Sequence, residues 1–100
     1  MINQDQLLSK YDDKTHNYFL LDVRTTYEFE HHHIPGSINI PIDNLEARIK
    51  EVPVDKHIIT ICEHGIRSSA AEQFLIKQGY QADSLEHGLS VWSGQLNRGK

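Results

Sequence analysis

Residues 57–77 read HIITICEHGIRSSAAEQFLIK, and this stretch decides the fold. Its first part, residues 57–62, is rich in β-branched side chains and predicts a buried strand. After Gly65 the apolar side chains recur at helical spacing, which predicts a helix that ends near Gly79. A buried strand that passes through a short loop into a helix is typical of α/β domains with a mostly parallel sheet.

Strand and helix patterns keep alternating outside this stretch. Apolar runs predict three further strands, which are residues 18–23, 38–41 and 82–85. Leu89, Trp92 and Leu96 follow at spacings of three and four residues and predict a last helix.

Capping patterns predict where the other helices begin. Asn3 stands where it can cap a first short helix. Asp43 with Glu46, and Ser69 with Glu72, match the capping-box spacing, so a helix is expected to begin at each pair.

The composition is that of one ordinary globular domain, predicted to span residues 1–100. Apolar residues make up 38% and charged residues 24%, and the formal net charge is -4. No dense Lys/Arg run favours a nucleic-acid partner, and no apolar run approaches the roughly 20 residues of a membrane helix. The single cysteine and an N-terminal stretch unlike a signal peptide predict a cytoplasmic protein without an intramolecular disulfide.

Asp22 and Cys62 both follow predicted strands, and parallel sheets carry their sites at the carboxyl ends of strands. The turn after Cys62 aims successive backbone N–H groups at one point, next to the positive end of a helix dipole. Such surroundings stabilise a thiolate, which is the nucleophilic form of cysteine. Gly65 permits a positive φ in this loop, and Arg67 adds a permanent charge close to it. The alternative is a buried structural cysteine with Arg67 on a solvated helix.

Several motifs in order resemble the rhodanese family. They are LDVR (residues 21–24), YEF (27–29), HIPGSINIP (33–41), CEHGIRS (62–68), and the late pair Gly88 and Trp92. Together they extend over residues 20–92, and the first four motifs in the correct order and spacing, followed by the late pair, are far more specific than any one of them.

The resemblance implies an open α/β fold around a mostly parallel five-stranded sheet flanked by helices. It implies a sulfurtransferase in which Cys62 takes sulfane sulfur from a donor, holds it as a persulfide, and passes it to a nucleophilic acceptor without a cofactor. The loop that would cradle the persulfide consists of Glu63, His64, Gly65, Ile66 and Arg67. Candidate donors are thiosulfate, glutathione persulfide and a protein persulfide; candidate acceptors are cyanide and thiols such as glutathione or thioredoxin.

Two further groups of residues receive structural interpretations. Asp22 and Arg24 are expected to form a buried ion pair that supports the loops, with Arg67 or Glu28 as further members. The run of histidines at residues 31–33 does not predict a metal site, because adjacent residues of an extended segment cannot all face one ion. His33 is instead expected to make a structural hydrogen bond.

The sequence departs from the family pattern at two positions. His32 stands where the family usually has glycine, and Glu63 places an acidic side chain directly after the cysteine. Thiosulfate-using members often carry polar or cationic groups in this loop, so Glu63 argues against thiosulfate as the natural donor.

Three other functions are alternatives to sulfur transfer. Dual-specificity phosphatases of this fold place five residues between Cys and Arg, whereas four lie between Cys62 and Arg67 here, so the loop is small for phosphate. An arsenate reductase of the same fold is a further alternative. A non-catalytic recognition module is the alternative from another class, against which the retained Cys62, Gly65 and Arg67 argue.

Overall fold

A computed structural model describes residues 1–11 and 17–99, which form a four-stranded parallel sheet flanked by helices. The strands are β1 (Tyr18–Asp22), β2 (Ile38–Asn39), β3 (His57–Ile61) and β4 (Gln81–Ser84). Their order across the sheet is β2-β1-β3-β4, and every neighbouring pair is parallel. The predicted α/β fold is therefore confirmed, and Asp22 pairs with Ile61 in register, which brings the ends of β1 and β3 together.

The expected five-stranded sheet has four strands within the described residues. At the edge next to β4 the chain makes only a single-residue bridge, in which Ile2 pairs in parallel with Leu85. The N–H of Ile2 donates to the Ser84 carbonyl at 2.9 Å. The chain turns into a helix immediately afterwards, because Asn3 Oδ1 accepts from the Gln6 N–H at 2.8 Å and Gln6 Oε1 accepts from the Asn3 N–H at 2.9 Å. This capping ends the pairing with β4 at Ile2 on the side that leads into α1.

The helices are α1 (Gln4–Tyr11), α2 (Thr26–His31), α3 (Ile42–Leu45) and α4 (Ile66–Lys77), with 3-10 turns at Ile49–Glu51 and Gly88–Val91. None of the helices in the described residues is both long and apolar enough to cross a membrane.

The two predicted capping boxes are wrong. Helix α3 begins after Pro41, and no side chain caps it. Helix α4 begins four residues earlier than predicted, because its N-cap is Gly65 in a left-handed conformation (φ 103°) rather than Ser69, which lies inside the helix. The carboxylate of Glu72 accepts a hydrogen bond from the backbone N–H of Ser84 at 3.0 Å instead of capping α4.

The predicted last helix is only the 3-10 turn Gly88–Val91. Trp92 has an extended backbone that ends the turn, and its indole N–H donates to the carbonyl of Gln95 at 3.2 Å. Leu96, which was expected on the buried face of that helix, is exposed.

A hydrophobic core lies on each face of the sheet, because successive strand residues point to opposite sides. One core contains Leu21, Ile58 and Cys62 with apolar residues of α3 and α4. The other contains Leu20 and Ile59, packed with side chains from α1 and the C-terminal segment. Cys62 therefore belongs to the first core and lies directly after the carboxyl end of β3.

Candidate active site

Cys62 directly follows β3, and its sulfur lies inside the loop that leads to α4. Two backbone N–H groups are directed at Sγ, from Gly65 at 3.0 Å and from Ser68 at 3.3 Å. The left-handed backbone of Gly65 turns its N–H inward, and glycine adopts this conformation at little cost. Cys62 is 1% exposed, so these donors act on the sulfur in surroundings with little water. Such an arrangement favours negative charge at Sγ.

Two buried hydroxyl groups continue from the sulfur into the sheet. The Cys62 thiol donates to Ser68 Oγ at 3.3 Å, and Ser68 Oγ lies 2.8 Å from Ser84 Oγ. No sequence pattern had indicated a role for either serine. Ser68 was detectable because it is the last residue of the CEHGIRS motif, but Ser84 comes from β4 and carries no local signal.

Arg67 is placed at the loop but directs its charge to helix α2. Its guanidinium donates two hydrogen bonds to the Glu28 carboxylate, at 2.6 and 3.0 Å. The hydrogen bond from Arg67 lowers the pKa of Glu28 to about 2, and the same carboxylate raises the pKa of Arg67. The positive charge near the loop is therefore largely compensated, and the ion pair links the start of α4 to α2.

Asp22 and Arg24 form the expected buried ion pair. Arg24 Nη2 lies 2.8 Å from Asp22 Oδ2, and both side chains are at most 1% exposed. The Arg24 backbone N–H also donates to Asp22 Oδ1, and Nη2 donates to the carbonyl of His32 at 2.6 Å. These contacts hold the segment between β1 and α2 and tie it to the residue that follows α2, so the geometry fits a supporting role. Glu28 and Arg67 form a second, separate ion pair rather than joining this one.

The two departures from the family pattern are neighbours in space. Glu63 Oε1 lies 3.6 Å from Arg24 Nη1 and 3.8 Å from His32 Nε2. The acidic side chain after the cysteine is thus partly compensated by a buried arginine. His32 is in position to add to this compensation when it is protonated.

The late glycine lets the C-terminal segment pack directly on the loop. The N–H of Leu89 donates to the Cys62 carbonyl and that of Ser90 to the Glu63 carbonyl, each at 2.9 Å. A Cβ atom on Gly88 would lie 2.2 Å from the Cys62 carbonyl oxygen, and its φ of +59° also favours glycine. Trp92, in contrast, packs against the core on the other face of the sheet.

His64 and Ile66 complete the predicted loop and line its outer surface. With Gly65, they line an open cleft of about 570 Å³ whose far wall includes Glu86 and His87. Ile66 is 81% exposed, which is high for a large apolar side chain. These residues form the outer rim of the loop.

The histidine run is mainly structural at its last member. His33 is buried, its Nδ1 lies 2.7 Å from the Phe29 carbonyl oxygen, and its ring stacks on that of Phe29. The predicted structural hydrogen bond of His33 is therefore present. Among the described residues, no three His, Cys, Asp or Glu side chains are grouped to hold one metal ion.

The Glu28–Arg67 pair predicts how stability depends on pH. The folded-state pKa of Glu28 is about 2 against a usual 4.5, so the pair stabilises the fold above pH 4.5. This stabilisation is lost as the pH falls through that window toward 2. Glu28→Gln should flatten the decline in unfolding free energy between about pH 5 and 3, measured by urea denaturation.

Glu51→Gln is the matched control for this experiment. It breaks an Arg48–Glu51 pair of the same chemistry that is more exposed, with 41% and 52% of the side chains accessible, and that lies at the 3-10 turn Ile49–Glu51. Exposed pairs contribute little to stability, so its pH profile should follow that of the wild type. An equal slope for Glu28→Gln and the wild type would contradict the prediction.

Comparison with known proteins agrees with this geometry. A family model described as rhodanese-like domain matches residues 3–95. The chain is 38% identical over 82 residues to the uncharacterized protein YqhL of Bacillus subtilis, an alignment that covers 81% of this chain and 65% of that protein. It is 35% identical over 74 residues to the thiosulfate sulfurtransferase GlpE of Shewanella oneidensis, with 73% of each protein covered.

The fold has a close match among solved structures. The crystal structure of a rhodanese-related protein from Thermoplasma volcanium superposes with a TM-score of 0.88 at 34% identity, covering 96% of this chain and 95% of that one. The family model extends over nearly the whole chain, and the same architecture recurs in that structure. The chain belongs to the rhodanese-like domain family.

Proposed function

We propose that this protein is a sulfurtransferase that carries sulfane sulfur as a persulfide on Cys62. The observation that carries the proposal is the convergence of the Gly65 and Ser68 N–H groups on one buried sulfur. Relatives named sulfurtransferases, at 30–35% identity, support the same class of activity. The lone cysteine fits a reducing compartment such as the cytoplasm.

The reaction has two transfers at the same sulfur. The Cys62 thiolate attacks the sulfane sulfur of the donor, an S–S bond forms, and the donor's bond to that sulfur breaks with the electron pair leaving on the donor fragment. An acceptor nucleophile, cyanide or a thiolate, then attacks the outer sulfur and regenerates the Cys62 thiolate. The loop N–H groups stabilise the anion in both resting states. No cofactor takes part in this scheme.

The remaining site residues hold the loop in this geometry. The Glu28–Arg67 pair ties the loop to α2, and Asp22 with Arg24 supports the neighbouring strand end. Gly65 supplies the turn, whereas Glu63, His64 and Ile66 form the surface that a donor or acceptor meets.

Intact-mass measurement tests the proposal. The protein is incubated separately with thiosulfate, glutathione persulfide and a persulfidated cysteine desulfurase, and its mass is compared before and after. Addition of one sulfur atom, removed again by cyanide with formation of thiocyanate, is expected for at least one donor. A protein that gains no sulfur from any of them acts instead as a recognition module.

We further propose that persulfides are better donors than thiosulfate. Thiosulfate is a dianion that must approach an anionic sulfur beside Glu63, on a chain of formal net charge -4. A persulfide carries at most one negative charge at its sulfur end, whereas thiosulfate carries two, so a persulfide meets less of this repulsion. Arg24 compensates Glu63 only in part, because Arg24 is already paired with Asp22.

Glu63→Lys should raise kcat/KM for thiosulfate by roughly tenfold at low salt, with little effect on glutathione persulfide. The gain should shrink as salt rises, because exposed charges are screened. Steady-state kinetics with both donors measure the effect. Asp55→Lys is the control, since it makes the same charge change on an exposed residue. Asp55 lies in the turn before β3, whereas Glu63 lies after the other end of that strand. A wild-type preference for thiosulfate, or an equal gain in both variants, would refute the donor preference alone.

A further inference from the structure

The hydroxyl pair behind the cysteine extends from the loop into the edge strand of the sheet. Ser68 and Ser84 are buried, with at most 1% of either residue exposed. Their Oγ atoms are 2.8 Å apart, and Ser68 Oγ is also 3.3 Å from the Cys62 sulfur. Ser84 is itself held in place, because its backbone N–H donates to the Glu72 carboxylate at 3.0 Å.

We propose that Ser84 is a positioning residue for sulfur transfer. It acts through Ser68, because it accepts a hydrogen bond from the Ser68 hydroxyl or donates one to it, depending on the charge of Cys62. This inference rests on the proposed function of Cys62. Ser84 does not touch the sulfur, and its effect passes entirely through the Ser68 hydroxyl.

The direction of each hydrogen bond depends on the charge of the sulfur. When Cys62 is a thiol, its S–H donates to Ser68, and Ser68 in turn donates to Ser84. When the sulfur is an anion it can only accept, so the Ser68 hydroxyl must turn to donate to it. Ser68 Oγ then needs a donor of its own, and Ser84 is the hydroxyl in contact with it.

The anionic state gains more from Ser84 than the thiol state does. A hydroxyl that donates to an anion is polarised, and a second donor behind it is strengthened in turn. Without Ser84, the Ser68 hydroxyl of the thiol state can donate to the sulfur instead, and the weakly donating S–H then turns away at little cost. The anionic state has no comparable substitute, so loss of Ser84 favours the thiol.

Several charged groups also face this region, and a test of Ser84 must leave them unchanged. Arg67 and Glu72 lie on α4, Glu63 and His64 lie in the loop, and Asp22 ends β1. Beyond β4, Glu86 and His87 line the cleft next to Ser84. Variants that remove only uncharged hydroxyl groups meet this condition.

The test is a titration of the Cys62 thiolate in the full chain. The ultraviolet absorbance of the thiolate can come only from Cys62, because the chain has one cysteine. The absorbance change caused by tyrosine ionisation is measured with the Cys62→Ser protein and subtracted. Ser84→Ala should move the titration midpoint upward by about half a pH unit. The donor kcat/KM measured below the wild-type midpoint should fall about threefold and recover toward the wild-type value above the new midpoint.

Thr60→Val is the matched structural control. Thr60 Oγ1 donates to the backbone carbonyl of Ser68 at 2.7 Å, so this variant removes a buried hydroxyl bonded to the same residue but not to its side chain. Its titration midpoint should stay at the wild-type value. A similar shift in Thr60→Val and Ser84→Ala would mean that loosening of the loop, not the hydroxyl pair, causes the effect.

A double-mutant cycle tests whether Ser84 acts through Ser68. In a Ser68→Ala background, Ser84→Ala should cause no further shift. If Ser84→Ala fails to fold, Ser84→Thr and Ser84→Val form a second pair of variants, in which a hydroxyl is replaced by a methyl group of similar size. The titration midpoint of Ser84→Val should then lie above that of Ser84→Thr by the same amount. An unchanged midpoint overturns this inference even where sulfur transfer proceeds, and the titration remains decisive even where no donor loads sulfur.

Discussion

Cys62→Ser is expected to reduce sulfur transfer to the uncatalysed background with every donor. The hydroxyl of serine is not ionised near neutral pH and cannot form the S–S bond on which the proposed reaction depends. Cys62 is the only cysteine of the chain, so no other thiol can take over the sulfur. Thiocyanate formation and intact mass after exposure to donor measure the loss.

The fold of this variant should remain intact. The serine Oγ is a good acceptor for the Gly65 and Ser68 N–H groups that now bond Sγ, so the unfolding free energy should change by only about 1 kcal/mol. Ser69→Ala is the companion control, because Ser69 lines the outer cleft without a described role at the sulfur and should retain activity. Substantial transfer by Cys62→Ser would overturn the proposed mechanism.

Gly88→Ala should destabilise the protein strongly. The new Cβ would lie 2.2 Å from the Cys62 carbonyl oxygen and 2.7 Å from that of Glu63, and backbone atoms cannot move aside as a flexible side chain can. Alanine also carries strain at a φ of +59°. The combined cost is about 3 kcal/mol or more, which corresponds to a fall in Tm of roughly 15 °C.

The clash should also disturb the site, because the backbone it displaces belongs to the cysteine loop. The hydrogen bonds from Leu89 and Ser90 to that loop depend on the close approach at Gly88. Sulfur transfer should therefore fall even at temperatures where the variant is folded.

Gly79→Ala separates strain from collision. Gly79 has a φ of +93°, but a Cβ there would meet nothing within 4 Å. It should cost only the conformational strain of about 1 to 2 kcal/mol, with transfer activity unchanged. Thermal denaturation and the cyanide assay compare the two variants. Equal losses of stability would show that the contact with the cysteine loop has no special weight.

The resemblance and the local patterns together determined the fold class and the place of the cysteine. Residues 57–62 are apolar and β-branched enough to form a buried strand in almost any parallel sheet, and Gly65 allows the turn that follows. These properties depend on neighbours in the chain. Local patterns gave a wrong helix start where two N-caps were available. Ser69 and Glu72 match a capping box, but α4 begins earlier, after Gly65.

Tertiary structure decided which groups surround the sulfur. Arg67 is bound to Glu28, Glu63 lies between Arg24 and His32, and Ser84 of β4 contacts Ser68 of α4. Each pair joins residues that are distant in sequence and meet only when crossover connections bring β1, β3 and β4 into register. Charge and hydroxyl partners depend on distances of a few ångströms, which local periodicity does not encode. The sequence by itself therefore determined where the cysteine stands, and the packing of the strands determined which groups surround it.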